Sequence, residues 1–212
     1  MYTPAHFRMD DSGQILEFVQ AHPFGLLLTN GPEVPEVTHL PLLLQADDSG
    51  DDHILGHVAK ANPHAKALVD GQAARVVFSG AHGYISPRWY AADGNVPTWN
   101  YRSVHATGAL RRIADEGELM QLVDALAAEH EAVAASPWQA DWSDAKISNM
   151  LNAVVGFELK VTHWEGKAKL GQNRSAEDQA SLRKNLMESE DSAHQELAGL
   201  MSKFGLGNQA KT

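Results

Sequence analysis

Gly83-Tyr84-Ile85-Ser86-Pro87-Arg88-Trp89-Tyr90, then Ala91-Ala92-Asp93-Gly94-Asn95, then Val96-Pro97-Thr98-Trp99-Asn100-Tyr101 is an odd way to build a core strand. Two Trp and three Tyr crowd into it with few aliphatic residues, and each aromatic run contains a proline. Proline cannot donate to a strand ladder and is confined to edges, strand starts and bulges, so Pro87 and Pro97 predict that both segments leave a sheet or skirt its rim. Trp89, Tyr90, Trp99 and Tyr101 offer flat rings with polar handles, and Ser86, Thr98 and Asn100 place short hydrogen-bonding groups between them. A planar heteroaromatic ligand needs that combination. A plain aromatic mini-core under a hairpin with its turn at Asp93-Gly94 uses the same residues.

Outward from this stretch the chain alternates short strands and helices. Asp10 and Ser12 ahead of Ile15, Leu16, Phe18 and Val19 predict a helix over 12–21, limited by Pro23. Phe24 to Thr29 reads as a buried strand before the turn Asn30-Gly31-Pro32, and Glu36 to Ala46 as a second strand interrupted by Pro41. His53 to Ala59 is a third strand. Asn62-Pro63 marks a helix start, and Ala73 to Ser79 is a β-branched strand leading into the aromatic stretch. Arg102 to Ile113 is a further strand with Gly108 as a candidate bulge. Asp115 and Glu118 form a capping box for a helix with Leu119, Leu122, Val123 and Leu126 on one face. A short helix from Ser143 precedes an alternating strand around Phe157, Leu159 and Val161, and two charged helices, from Ser175 to about Glu188 and from Asp191 to Phe204, end the chain. Six or seven short strands with intervening helices predict an α+β barrel or half-barrel with a helical tail.

The chain has 212 residues, 43% hydrophobic and 21% charged, which suits one globular core. Cysteine is absent, so disulfides, thiolate nucleophiles and Cys-based metal sites are excluded together. No apolar run approaches the roughly 20 residues of a membrane span, and the first residues lack signal-peptide character, so a cytoplasmic protein is expected. A formal net charge of -10 repels polyanions.

The acidic run Asp47-Asp48-Ser49-Gly50-Asp51-Asp52 lacks calcium-loop spacing, and His53 and His57 on an extended strand are separated by roughly 13 Å, too far to share one zinc. No metal site is expected. A Gly-x-Ser-x-Gly elbow, a Walker loop and a dinucleotide fingerprint are all missing, so no catalytic residue is assigned. Lys167, Lys169 and Arg174 beside Gln172 and Asn173 form one cationic, amide-rich cluster, and Lys60, Asn62 and Lys66 form a second at a strand-to-helix junction. Two cationic points with aromatic planes suit a phosphorylated planar cofactor; solvated surface lysines account for the same residues.

Six motifs, in order, carry a more specific likeness: Met1-Tyr2-Thr3-Pro4 with Phe7, Thr38-His39-Leu40-Pro41, Gly56-His57-Val58-Ala59-Lys60-Ala61-Asn62-Pro63, Tyr84-Ile85-Ser86-Pro87-Arg88-Trp89-Tyr90, Val96-Pro97-Thr98-Trp99-Asn100-Tyr101, and Lys169-Leu170-Gly171-Gln172-Asn173-Arg174. Together they resemble the PaiB-like family of FMN-binding split-barrel proteins described as negative transcriptional regulators. The resemblance implies an α+β fold, a split β-barrel like that of pyridoxamine-phosphate oxidase with flanking helices, over residues 1–174, and a C-terminal helical extension over 175–212 packed on it. It implies FMN near the interface of a homodimer. By analogy, Thr38, His39, Leu40 and Pro41 run along the flavin; His57, Val58, Ala59, Lys60 and Asn62 lie near the phosphate. Trp99 and Asn100 border the ring, and Lys169, Gln172 and Asn173 close the site. Gly171 departs from the family pattern, where a serine is expected.

Three functional readings follow: an FMN flavoprotein, in which the cofactor holds the redox chemistry; a transcriptional regulator; and a haem-binding split barrel with a histidine axial ligand. Direct DNA contact is poorly supported, because Ser175 to Phe204 holds three Lys/Arg (Arg183, Lys184, Lys203) against six Asp/Glu (Glu177, Asp178, Glu188, Glu190, Asp191, Glu196). Whether the protein is an enzyme or a regulator, and on what substrate it acts, stays open.

Overall fold

The computed structural model describes residues 1–132 and 134–207. A 3-10 turn, Ala5–Phe7, leads into β1 (Arg8–Met9) and α1 (Ser12–Ala21). There follow β2 (Phe24–Thr29), β3 (Glu36–Pro41), β4 (Leu43–Ala46), β5 (Asp52–Ala59), a 3-10 helix Pro63–Ala67, β6 (Ala73–Ile85), a 3-10 turn Pro87–Trp89 and β7 (Thr98–Ile113). The chain continues through α2 (Glu116–Glu131), α3 (Ala145–Leu151), β8 (Val154–Lys169), α4 (Ala176–Met187) and α5 (Ser192–Lys203). The last five residues of the expected tail, 208–212, lie outside the described residues.

The strands form an eight-stranded sheet in the order β3-β2-β6-β7-β8-β5-β4, with β1 paired to β8. β1 with β8, β2 with β3 and with β6, β4 with β5, and β5 with β8 all pair antiparallel. The expectation of uniformly short strands is corrected here: β6, β7 and β8 run 13, 16 and 16 residues. The single strand expected from Glu36 to Ala46 is two, because the Leu42 N–H leaves the ladder to donate to the Pro23 carbonyl at 2.8 Å. Pro87 and Pro97 behave as their chemistry requires: β6 ends at Ile85, and β7 begins only at Thr98.

The chain divides into two compact units, through both of which β6, β7 and β8 run. One comprises Leu16–Phe78 and His105–Trp164. Within it α2 starts where Asp115 accepts the Glu118 N–H at 2.9 Å, and its apolar face buries Leu119, Leu122 and Leu126 against Leu43, Ile113 and Leu151. Each such leucine contributes about 1.5–3 kcal/mol.

The other unit comprises Met1–Ile15, Ser79–Val104 and Glu165–Thr212. Leu182 and Leu186 of α4 and Leu197, Ala198 and Met201 of α5 pack with Ala81, Ile85, Ala168 and Leu170 of the strands. Ser175 caps α4 by accepting the Asp178 N–H. At the end of α5, Gly205 takes φ +72°, which lets Leu206 N–H reach the Met201 carbonyl at 2.8 Å and close the last turn. Asp178 is itself buried and accepts the backbone N–H groups of Ala91 and Ala92 at 2.8 and 3.0 Å, tying the loop between β6 and β7 to α4.

Candidate flavin site

The expected site residues fall into two groups, one in each unit. In the first, strand alternation divides Thr38 to Pro41: Leu40 is buried and Thr38 half-buried on one face, while His39 and Pro41 are exposed on the other, with His39 stacked on Phe24 at 6.4 Å. Thr38 is the hub of a polar network. Its Oγ1 accepts from Asn62 Nδ2 at 3.1 Å and lies 2.8 Å from His64 Nδ1, whose Nε2 is 3.0 Å from Thr29 Oγ1. Asn62 also caps the 3-10 helix through the His64 N–H at 3.0 Å. Burial holds His64 below the ordinary histidine value, with the Glu36 charge pulling the other way.

His57 stands on the face of β5 that carries His53 and Leu55, opposite Gly156. Burial lowers its pKa, and its Nδ1 is enclosed with no hydrogen-bond partner among the described residues. Val58 is buried on the other face, and Ala59 and Lys60 are exposed where the strand ends.

In the second group, Trp99 and Asn100 are adjacent on β7 and so face opposite ways: Trp99 is 53% exposed and Asn100 1%. Trp99 lies 6.2 Å from the His82 ring and 6.3 Å from that of Tyr84, an open aromatic patch. Asn100 Nδ2 is buried and meets no hydrogen-bond partner among the described residues. Lys169 donates to Thr98 Oγ1, and its ammonium is 6.0 Å from the Phe7 ring centre. Burial, then the charges of Lys167 and Arg174, push Lys169 below the usual lysine value. Arg174 lies over Tyr90 at 4.8 Å and donates to Asn95 Oδ1 at 2.6 Å. Gln172 turns both ends of its amide onto its own chain, accepting from Leu170 N–H at 2.8 Å and donating to the Ala168 carbonyl at 2.5 Å, beside Gly171 at φ +89°. Asn173 is exposed. Among the described residues no cluster of three or more His, Cys, Asp or Glu is arranged to hold a metal ion.

Sequence reasoning missed His64, Thr29 and Asp178. His64 directly follows the Asn62-Pro63 start signal, which drew attention to the cap rather than to the ring behind it. Asp178 reads as an ordinary first-turn carboxylate of α4, and only long-range packing reveals its backbone partners.

Away from these groups, His53 bridges Glu158 (2.5 Å) and Asp47 (3.1 Å), and Arg111 donates to Glu158 and Glu118 at 3.1 Å each. Burial pushes the Glu158 carboxyl up, but the hydrogen bond and charge of Arg111, with help from His53, outweigh it and hold the value below the ordinary one. A depressed folded-state pKa gives stability that is full above the unfolded value, about 4.3, and is lost as pH falls through the folded value. Melting temperature should therefore drop more steeply below about pH 4 in the wild type than in E158Q. Parallel profiles would show that this network adds nothing.

The antiparallel sheet and its flanking helices define the class: the fold is that of the flavin-binding split-barrel proteins. It matches the FAD and heme binding protein from Mycobacterium smegmatis (TM-score 0.52, 18% identity, 76% of this chain and 73% of that one). It also matches the flavocytochrome Anf3 from Azotobacter vinelandii (TM-score 0.53, 21% identity, 76% and 69%). At such identities the likeness is one of fold. Residues 1–163 match the family model described as "Putative FMN-binding domain", and the chain belongs to that family. It is 33% identical over 204 residues to "Protease synthase and sporulation protein PAI 2" of Bacillus subtilis, covering 95% of this chain and 96% of the relative. An uncharacterised Emericella nidulans protein is 29% identical, covering 76% of this chain and 80% of its own.

Proposed function

We propose that the protein binds FMN as one of a pair of subunits, with the Trp99–Lys169 group supplying contacts and the Thr38–Asn62 group of the other unit a separate candidate surface for it. The observation that carries this reading is the amide of Asn100, sealed in the protein with an N–H₂ that meets no acceptor among the described residues. A buried unsatisfied donor costs about 1–3 kcal/mol, and native proteins rarely tolerate one without a bound partner. Flavin ring carbonyls and ring nitrogens are acceptors of the kind it lacks. The unpartnered Nδ1 of His57 is a second such atom. Lys169 supplies charge for a phosphate, and the open Trp99, Tyr84 and His82 rings supply a surface on which a flat ring or a second subunit rests.

When bound, FMN supplies one- and two-electron transfer; the protein holds and orients it. The membership of the FMN-binding family favours FMN over FAD. The name of the Bacillus relative supports a regulatory role, which we assign to flavin state or a protein partner, because the span Ser175 to Phe204 holds three Lys/Arg against six Asp/Glu. Visible absorption of the purified protein, before and after added FMN, tests the reading. Two flavin bands that stay with the protein through gel filtration are expected; a single intense Soret band would favour haem, and a colourless protein that takes up no FMN would end the proposal.

A further inference from the structure

His64 is 1% exposed, yet both its ring nitrogens face threonine hydroxyls: Nδ1 that of Thr38 at 2.8 Å, Nε2 that of Thr29 at 3.0 Å. The Thr38 oxygen already accepts one bond, from Asn62 Nδ2 at 3.1 Å. A hydroxyl has one proton to give and two lone pairs to receive with. When His64 carries its proton on Nδ1, it donates to Thr38, both Thr38 lone pairs are filled, and the Thr38 proton must point elsewhere. With the proton on Nε2, Thr38 donates to Nδ1 and keeps a lone pair open. Thr38 is half-buried, whereas His64 and, on its far side, Thr29 are buried, so of the two hydroxyls that His64 meets it is that of Thr38 that can meet a bound molecule.

We propose that His64 is a positioning residue that sets the polarity of the Thr38 hydroxyl toward bound FMN, its Nδ1–H tautomer making Thr38 a donor and its Nε2–H tautomer making it an acceptor. The inference rests on the FMN reading above. Neutral imidazole is the form that has two tautomers, and burial favours neutral His64 at pH 7, although Glu36 on β3 opposes this. Asn62 fixes the geometry twice, through the His64 N–H and through Thr38. Because FMN exposes ring carbonyls, ring nitrogens and phosphate oxygens, Thr38 must donate to most of its atoms, and binding selects the Nδ1–H form.

The test uses the full chain labelled with 15N-histidine, with FMN uptake followed separately by quenching of flavin fluorescence. The His64 signals are assigned by their loss in H64N. Saturating FMN should raise the Nδ1–H to Nε2–H ratio of His64 at least fivefold. In T38V that response should vanish and FMN affinity should fall about tenfold, and T38S should restore both. FMN uptake with an unchanged His64 ratio in the wild type, or a full response in T38V, would overturn the proposal while leaving the FMN reading intact. No quenching in any sample would overturn the FMN reading and this inference with it.

Discussion

Lys169→Met should weaken FMN binding about a hundredfold, equivalent to about 2.8 kcal/mol, while leaving the fold as stable or raising its melting temperature. The two effects have one cause. Lys169 is held partly out of water beside two like charges, Lys167 and Arg174, and among the described residues the bond it makes is to the neutral hydroxyl of Thr98. An ammonium so placed opposes folding, and its folded-state pKa is depressed for that reason. An anion nearby reverses the balance, because charge-assisted bonds are roughly twice as strong as neutral ones. Replacing the ammonium by an apolar chain of similar length removes the crowding and the anion contact together. A gain of about 1 kcal/mol would raise Tm by roughly 2–4 °C in a chain of this size. Asn100→Ala belongs with it: its N–H₂ meets no partner among the described residues, so the loss should fall on FMN affinity, about tenfold, more than on Tm. A K169M protein that melts lower and binds FMN normally would show that Lys169 is structural.

Gly108→Ala should destabilise the fold by about 3 kcal/mol, a Tm fall of roughly 6–12 °C. A Cβ at Gly108 would sit 2.0 Å from the Lys160 carbonyl oxygen and 2.8 Å from its carbon. These are backbone atoms of the neighbouring strand, β8, which cannot swing aside as a side chain can. The two strands must part locally, and ladder bonds are lost. Gly199→Ala is the matched control, since that glycine lies exposed within α5 and an added Cβ meets nothing within 4 Å. Helix propensity then favours alanine by about 1 kcal/mol, so Tm should rise. Thermal melts of both variants check the pair, and a G108A protein as stable as wild type would mean that β7 and β8 lie farther apart than described here.

Gly108 also illustrates how far the sequence could be read. Its place inside the strand expected from Arg102 to Ile113 marked it as a candidate bulge, but only the neighbouring strand shows why a side chain is barred. Signals local to the chain were legible: Asp115 and Ser175 as caps, Pro87 and Pro97 as limits of β6 and β7, and the apolar face of α2. The length of β8 was not, because the alternation of Phe157, Leu159 and Val161 breaks at the exposed pair Thr162 and His163, and Gly166, Lys167 and Lys169 beyond it give no strand signal. The likeness of six short motifs identified the family before any coordinates, and the family match over residues 1–163 agrees with it. What no motif indicated was the enclosure of His64 between two threonines and the hold of Asp178 on Ala91 and Ala92, since those partners are 26–87 residues apart in the chain.

The most direct test of the account is a pair of calorimetric titrations of the purified protein, one with FMN and one with riboflavin, which lacks the phosphate. One FMN should bind per chain at micromolar concentration or tighter, with riboflavin at least tenfold weaker and the difference erased in K169M. Equal affinity for the two flavins in the wild type would contradict the cationic half of the site, and no heat with either would contradict the site altogether.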